Sequence, residues 1–122
     1  MMKNKIGIIS DKIIILLGLS CPCNTPIFLG PSNIDHMVNT HPEDHEKYFQ
    51  HISLILSAPD YVGLNSSDDS IEFVKEFAIT NTEYVKVAVR VSSSGQYFAR
   101  SIYVLNSNRV NNFIKKGTLR KL

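Results

Sequence analysis

Residues 84–91 read Tyr-Val-Lys-Val-Ala-Val-Arg-Val, and this stretch decides the fold. Four valines recur at every second position, which is the pattern of a β-strand with one buried face. The valines therefore predict a core face. The alternate positions predict a second face on which Lys86 and Arg90 can bind phosphate, with an ordinary solvated face as the alternative. The next strand is predicted over Gln96–Leu105, because Ser92-Ser93-Ser94-Gly95 is a typical hairpin connection.

The same period of two extends toward the N-terminus. It predicts strands over Tyr61–Leu64 and Ile71–Ile79, separated by a turn rich in Asn, Asp and Ser. Because successive strands are joined by short connections, an antiparallel meander of four strands is the expected sheet.

Helical periodicity flanks the predicted strands. A short helix is expected around Ile34–Val38, capped by Ser32 or Asn33, and a longer one from Pro42 to about Ser57, opened by a capping box of Thr40 and Glu43. A last helix over Ser107–Lys116 ends at Gly117. The sequence thus predicts a single α+β domain over residues 1–122, with N-terminal helices packed on a four-stranded antiparallel sheet and a closing C-terminal helix.

Composition narrows the class of protein. The chain is 43% hydrophobic and 20% charged, which is ordinary globular usage. The longest apolar run, Ile13–Leu19, is much shorter than the ~18 residues of a spanning helix, so no membrane association is expected. Asp11 and Lys12 interrupt the apolar region that a signal peptide needs. With only two cysteines, the chain is expected in the reducing cytoplasm.

Charge is distributed unevenly along the chain. Residues 1–83 carry five lysines against all 11 acids, a net charge of −6, whereas residues 84–122 carry eight bases and no acid. Such a separation predicts a basic face for a polyanion, and nucleic acid is the leading candidate. An ordinary solubilising surface is the alternative.

Two kinds of residue are candidates for chemistry. Arg100 alternates in register with Phe98, Ile102 and Val104, which is unusual for an arginine unless it is paired, at an edge or displaced by a bulge. Histidine is the usual acid or base near neutral pH, and His36 and His41 flank the break between two predicted helices. The other two histidines, His45 and His51, are expected to be solvated.

Cofactor sites find little support in the sequence. Cys21-Pro22-Cys23 has a single spacer, shorter than the spacing of zinc knuckles, and no HExxH pattern occurs. No glycine-rich phosphate loop is present. We therefore expect no metal, no cofactor and no disulfide.

Several segments together resemble a known family. They are Asn33-Ile34-Asp35-His36-Met37, His41-Pro42-Glu43-Asp44, Pro59-Asp60-Tyr61-Val62-Gly63, residues 71–77, 85–91 and 97–103. In this order they resemble the phage Barnase–EndoU–Colicin–RelE-like nucleases over about residues 5–120. The resemblance implies helices against an antiparallel sheet, metal-independent cleavage of RNA, and carriage on phages, prophages or toxin cassettes.

Carried over by position, His36 and His41 match helical histidines of that family, and Lys86, Arg100 and Ser101 match polar positions on its strands. We expect His36, His41, Arg100 and Ser101 to be catalytic. Substrate binding is expected from five further residues: Lys86, Arg90, Tyr97, Tyr103 and Arg109. The expected partner is RNA, with an immunity or antitoxin protein or another phage protein as a second. The alternative is a non-catalytic nucleic-acid-binding phage accessory protein that uses the same basic face.

Overall fold

Strands form one mixed sheet in a computed structural model that describes residues 3–78 and 81–122. Their bounds are β1 Asn4–Ile9, β2 Thr25–Leu29, β3 Tyr61–Leu64, β4 Ile71–Ala78, β5 Thr82–Val91, β6 Tyr97–Leu105 and β7 Leu119–Lys121. Across the described residues the sheet has seven strands, in the order β1-β2-β6-β5-β4-β3-β7. All neighbours are antiparallel except β2 and β6, which are parallel.

Helices lie in the chain segments that connect β1 to β2, β2 to β3 and β6 to β7. Their bounds are α1 Asp11–Leu17, α2 Pro31–Thr40, α3 Pro42–Tyr48, α4 Ile52–Ser57 and α5 Ser107–Lys116, with a 3₁₀ turn over Phe49–His51. The predicted long helix from Pro42 to Ser57 is therefore three pieces. The α+β class is confirmed, and the meander of β3 to β6 matches its predicted order.

The predicted four-stranded sheet is wrong in detail, because β1, β2 and β7 extend it at both edges. Of these, β7 lies antiparallel to β3 and places Leu119 opposite Gly63. A Cβ at Gly63 would lie 2.4 Å from the Thr118 carbonyl oxygen, so glycine permits this close approach.

The main core lies on the valine face of β5. Val85, Val87 and Val89 are fully buried there and pack with Ile52 and Ile55 of α4. Val91, predicted to join them, is 53% exposed. The β4–β5 ladder ends at Val89, so Val91 has no β4 neighbour to pack against.

A β-bulge in β6 changes the alternation of that strand. Ala88 pairs with Ser101 but Val89 pairs with Ala99, so Arg100 is an extra residue on the β6 side. The expectation that Arg100 shares a face with Ile102 and Val104 is therefore wrong. Phe98 pairs with Arg90 on one face, whereas Ile102 pairs with Val87 on the core face.

The second face of the sheet is partly covered by α5. Val110 of α5 packs with Val74, Leu105 and Leu119 in a smaller cluster. Lys86 lies on this face and is buried, so the alternative of an ordinary solvated face does not hold at Lys86. No helix in the described part of the chain is long and apolar enough to cross a membrane.

Candidate nucleic-acid interface

A groove of about 450 Å³ lies between α2 and the ends of β5 and β6. We call it the histidine groove, and the side chains that matter here are Ser32, Asn33, His36, Arg90, Phe98 and Arg100. His36 and Arg100 are exposed and Arg90 is half-buried. The groove therefore combines one imidazole, two guanidinium groups and an aromatic ring.

Local sequence explains how His36 reaches this groove. Gly30 caps α2 and Pro31 occupies its first position, where a missing N–H costs nothing. Asn33 folds back so that its Oδ1 accepts a hydrogen bond of 2.9 Å from the Gly30 N–H. The predicted caps, Ser32 and Asn33, are thus inside the helix. With its start fixed at the end of β2, α2 packs along β6 and places His36 over the groove.

The two arginines reach the groove for different reasons. Arg90 alternates onto the Lys86 face of β5, as the sequence predicts. Arg100 reaches it through the bulge in β6. Within residues 3–78 and 81–122, neither guanidinium makes a salt bridge, so both are open to an anion.

His41 lies outside the histidine groove. It ends α2 and begins α3, because Pro42 disfavours helical geometry at the residue before it. Its ring stacks on Tyr103 with 4.6 Å between centroids and an interplanar angle of 22°. The predicted Thr40 capping box does not form, since the Thr40 hydroxyl donates to the His36 carbonyl instead. Structure therefore separates the two histidines that the sequence treats as a pair.

A second cavity of about 420 Å³ lies between β5, β6 and α5. We call it the α5 pocket, and the side chains that matter here are Glu72, Lys86, Tyr103, Arg109, Phe113 and Lys116. The Lys86 Nζ lies 2.7 Å from Glu72 Oε2, and both side chains are at most 10% exposed. Burial disfavours the Lys86 ammonium, but hydrogen bonds with Glu72 and Tyr103 outweigh that cost and raise the pKa of Lys86.

Sequence reasoning offers Glu72 as a possible partner of Arg100 and misses its pairing with Lys86. Glu72 pairs with Ala88 on the face that carries Lys86. The sequence does carry a signal for this pairing. Glu72 lies between the apolar Ile71 and Phe73, so alternation places its carboxylate on the face opposite the core, one strand away from Lys86.

The remaining predicted site residues are spread over the molecule. Ser101 is half-buried between the two cavities and lines neither of them. Tyr97 packs against the main core, where burial and the nearby Cys21 raise the pKa of its phenol. Phe98, rather than Tyr97, faces the groove. Arg109 is exposed on α5, with its guanidinium 5.7 Å from the Phe113 ring centroid.

The other two histidines are half-buried, so the expectation that they are solvated is wrong. His45 packs on Phe49, and His51 packs on Phe77. The His45 contact joins α3 to the 3₁₀ turn that follows it, and the His51 contact joins that turn to β4.

Both cysteines are free thiols. A hydrogen bond with Asp11 is the main cause that raises the pKa of Cys23, which disfavours its thiolate. Among residues 3–78 and 81–122, no group of three or more His, Cys, Asp or Glu side chains is placed to hold a metal ion.

Comparison with known proteins gives one family. Residues 3–112 match the profile of the phage-Barnase-EndoU-ColicinE5/D-RelE like nuclease3 family (PBECR3). No curated protein and no solved structure matches the chain.

Proposed function

The chain belongs to the phage-Barnase-EndoU-ColicinE5/D-RelE like nuclease3 family, and from this premise we propose that it is an endoribonuclease that acts at the histidine groove. The observation that carries the proposal is that His36, Arg90 and Arg100 line one cavity. An acid–base group and two phosphate-binding cations are the parts that metal-independent cleavage of RNA needs.

The proposed reaction starts at the 2′-hydroxyl of the RNA. His36 takes its proton, and the oxygen attacks the adjacent phosphorus. The bond from phosphorus to the 5′-oxygen breaks, which leaves a 2′,3′-cyclic phosphate and a 5′-alkoxide. A water molecule protonates the alkoxide to the 5′-hydroxyl, and the resulting hydroxide takes the proton that His36 holds. Arg90 and Arg100 stabilise the charge that builds on the non-bridging oxygens.

Structure narrows the roles assigned from the sequence. Because His41 is stacked on Tyr103 rather than placed in the groove, we assign it to substrate positioning and leave acid–base work to His36. Phe98 is the aromatic ring in the groove on which an unpaired base can stack. Arg100, which is exposed and without a salt bridge in the described ranges, binds the scissile phosphate.

A non-catalytic nucleic-acid-binding protein is the rival function. It would keep the two arginines but would not need a histidine beside them. The exposure of His36 in the same cavity as Arg100 favours the nuclease. A phage or toxin context, cytoplasmic action and an immunity or antitoxin partner remain part of the proposal only through the family resemblance.

The test is incubation with total RNA in the presence of EDTA. We expect the wild-type protein to cleave, and His36→Ala and Arg100→Ala to lose about 100-fold or more in rate with little change in melting temperature. His51→Ala, which removes a histidine outside the groove, serves as the control and should retain activity. Unchanged cleavage by His36→Ala would overturn the assignment, and loss of wild-type activity in EDTA would overturn metal independence.

A further inference from the structure

The α5 pocket carries an ionic arrangement that the proposed reaction does not use. Lys86 and Glu72 form a buried pair at its edge, although such pairs add little stability compared with apolar side chains of similar size. The neighbouring cluster of Val74, Leu105 and Val110 is apolar, so apolar side chains in place of the ion pair would have apolar neighbours. A buried pair retained at a cavity is therefore a candidate for function.

Charge in the pocket favours an anion. Glu72 neutralises Lys86, which leaves Arg109 and Lys116 as the uncompensated charges of the lining. Over residues 3–78 and 81–122, neither of these two forms a salt bridge. Arg109 also lies over the Phe113 ring, so a cation and an aromatic face are presented together.

The strand register connects this pocket to the histidine groove. Lys86 pairs with Tyr103, Ala88 with Ser101, and Arg90 with Phe98, all on one face of the sheet. Lys86 and Arg90 are four residues apart, which corresponds to about 13 Å along β5. At a rise of ~3.4 Å per nucleotide, a stacked strand covers that distance in about four nucleotides.

Tyr103 stands at the α5 end of this path and is held in place. The Lys86 Nζ lies 4.8 Å from its ring centroid, and the His41 ring stacks on it. We infer that the Glu72–Lys86 pair and the His41 ring fix Tyr103 in the wall of the pocket, while Phe113 supplies a stacking surface for an unpaired base.

Resting on the proposed function, the geometry points to the α5 pocket as a second phosphate-binding subsite for the same substrate. The substrate is accordingly a single-stranded RNA that runs along β6, with its scissile phosphate in the histidine groove and a phosphate about four nucleotides away between Arg109 and Lys116. Cavities of 420 to 450 Å³ lined by aromatic rings fit single nucleotides rather than a duplex.

Binding of an uncleavable RNA tests this subsite without relying on catalysis. The probe is a fluorescein-labelled 2′-O-methyl RNA hexamer, in which the attacking hydroxyl is blocked, and the readout is fluorescence anisotropy. The combined variant Arg109→Ala/Lys116→Ala should weaken hexamer binding about tenfold or more and should leave a dinucleotide, too short to span the two cavities, unaffected. A hexamer duplex should bind more weakly than the single strand.

The matched control removes the same charge outside the pocket. Lys115→Ala/Lys121→Ala alters two exposed lysines that line neither cavity, and it should change hexamer binding less than about threefold. Equal weakening by the two double variants would overturn the subsite. If the wild type cleaves RNA but Arg109→Ala/Lys116→Ala binds the hexamer as tightly as the wild type does, the subsite is wrong and the proposed function stands. If the variants bind the hexamer as predicted but the wild type cleaves no RNA, the proposed function is wrong and the subsite stands.

Discussion

Lys86 shows how one side chain can differ from its sequence pattern. Alternation places it opposite the valines, and that placement is correct. The lysine is not solvated, however, because α5 covers this part of the sheet and Glu72 supplies the counter-charge. The residue that looked like a surface lysine is thus part of a buried ion pair.

We therefore predict that Lys86→Ala destabilises the protein. Removing the lysine leaves the Glu72 carboxylate buried and unpaired, and the free energy of unfolding should fall by about 3–5 kcal/mol in urea denaturation. The double variant Lys86→Met/Glu72→Leu should recover most of that loss, and Lys115→Ala should stay within about 0.5 kcal/mol of wild type. A wild-type midpoint for Lys86→Ala would contradict the buried pair.

The raised pKa of Lys86 sets the pH range of this effect. A folded-state pKa above the ordinary value means that the stabilisation is fully present below about pH 10.4 and is lost as the pH rises through the folded-state pKa.

Arg100 interrupts the apolar alternation of its strand, and the sequence leaves three structural explanations open. Its place among apolar residues allowed pairing, an edge or a bulge, and the register shows the bulge. A bulge has no reliable signature in a single sequence, because it depends on how β6 is paired with β5.

At the scale of elements, β5 carries two valines of the same alternation in different environments. Val87 is fully buried in the main core, whereas Val91 lies at the end of the strand and is 53% exposed. Both belong to the same alternation, so the sequence alone predicts the same response to substitution.

We predict that Val87→Asp unfolds the domain, because a buried unpaired charge has no compensation there. Val91→Asp on the same strand should remain folded with a cooperative thermal transition. Circular dichroism melting of the two variants measures the difference, and equal melting temperatures would mean that the β5 register is assigned wrongly.

Strands with a long alternating pattern can be predicted from the sequence, whereas the strands at the two edges of the described sheet cannot. β4, β5 and β6 follow from alternation over eight or more residues. β7 has three residues, and β1 contains Gly7 and Lys5, so neither presents a pattern that distinguishes a strand from a loop. These strands are fixed by tertiary pairing with β2 and β3.

At the scale of the whole molecule, the eight bases of residues 84–122 do not act as one surface. Lys86 is neutralised by Glu72, and three further bases line neither cavity: Lys115, Arg120 and Lys121. Arg90 and Arg100 line the histidine groove, and Arg109 and Lys116 line the α5 pocket. The net charge of the segment predicted a polyanion partner but could not show which cations face it.

We accordingly predict that single-stranded RNA binding depends on about four phosphates. A plot of log affinity against log salt should have a slope of about −3, since each phosphate contributes ~0.7 on a single strand. Titrations between low and physiological salt measure it, and a flat profile would exclude the electrostatic path along β6.

The pairing between β2 and β6 has a consequence for motion. It consists of two residue pairs, whereas the β4–β5 and β5–β6 ladders have eight each. The other neighbour of β2 is β1, which lies at the edge of the described sheet, so we expect amide hydrogens of Thr25–Leu29 to exchange faster than those of Ile71–Ala78 under native conditions. His36 stands on the helix that directly follows β2, and Arg90 and Arg100 stand on the long ladder. We therefore expect the wall of the groove that carries His36 to open locally more often than the wall that carries Arg90 and Arg100.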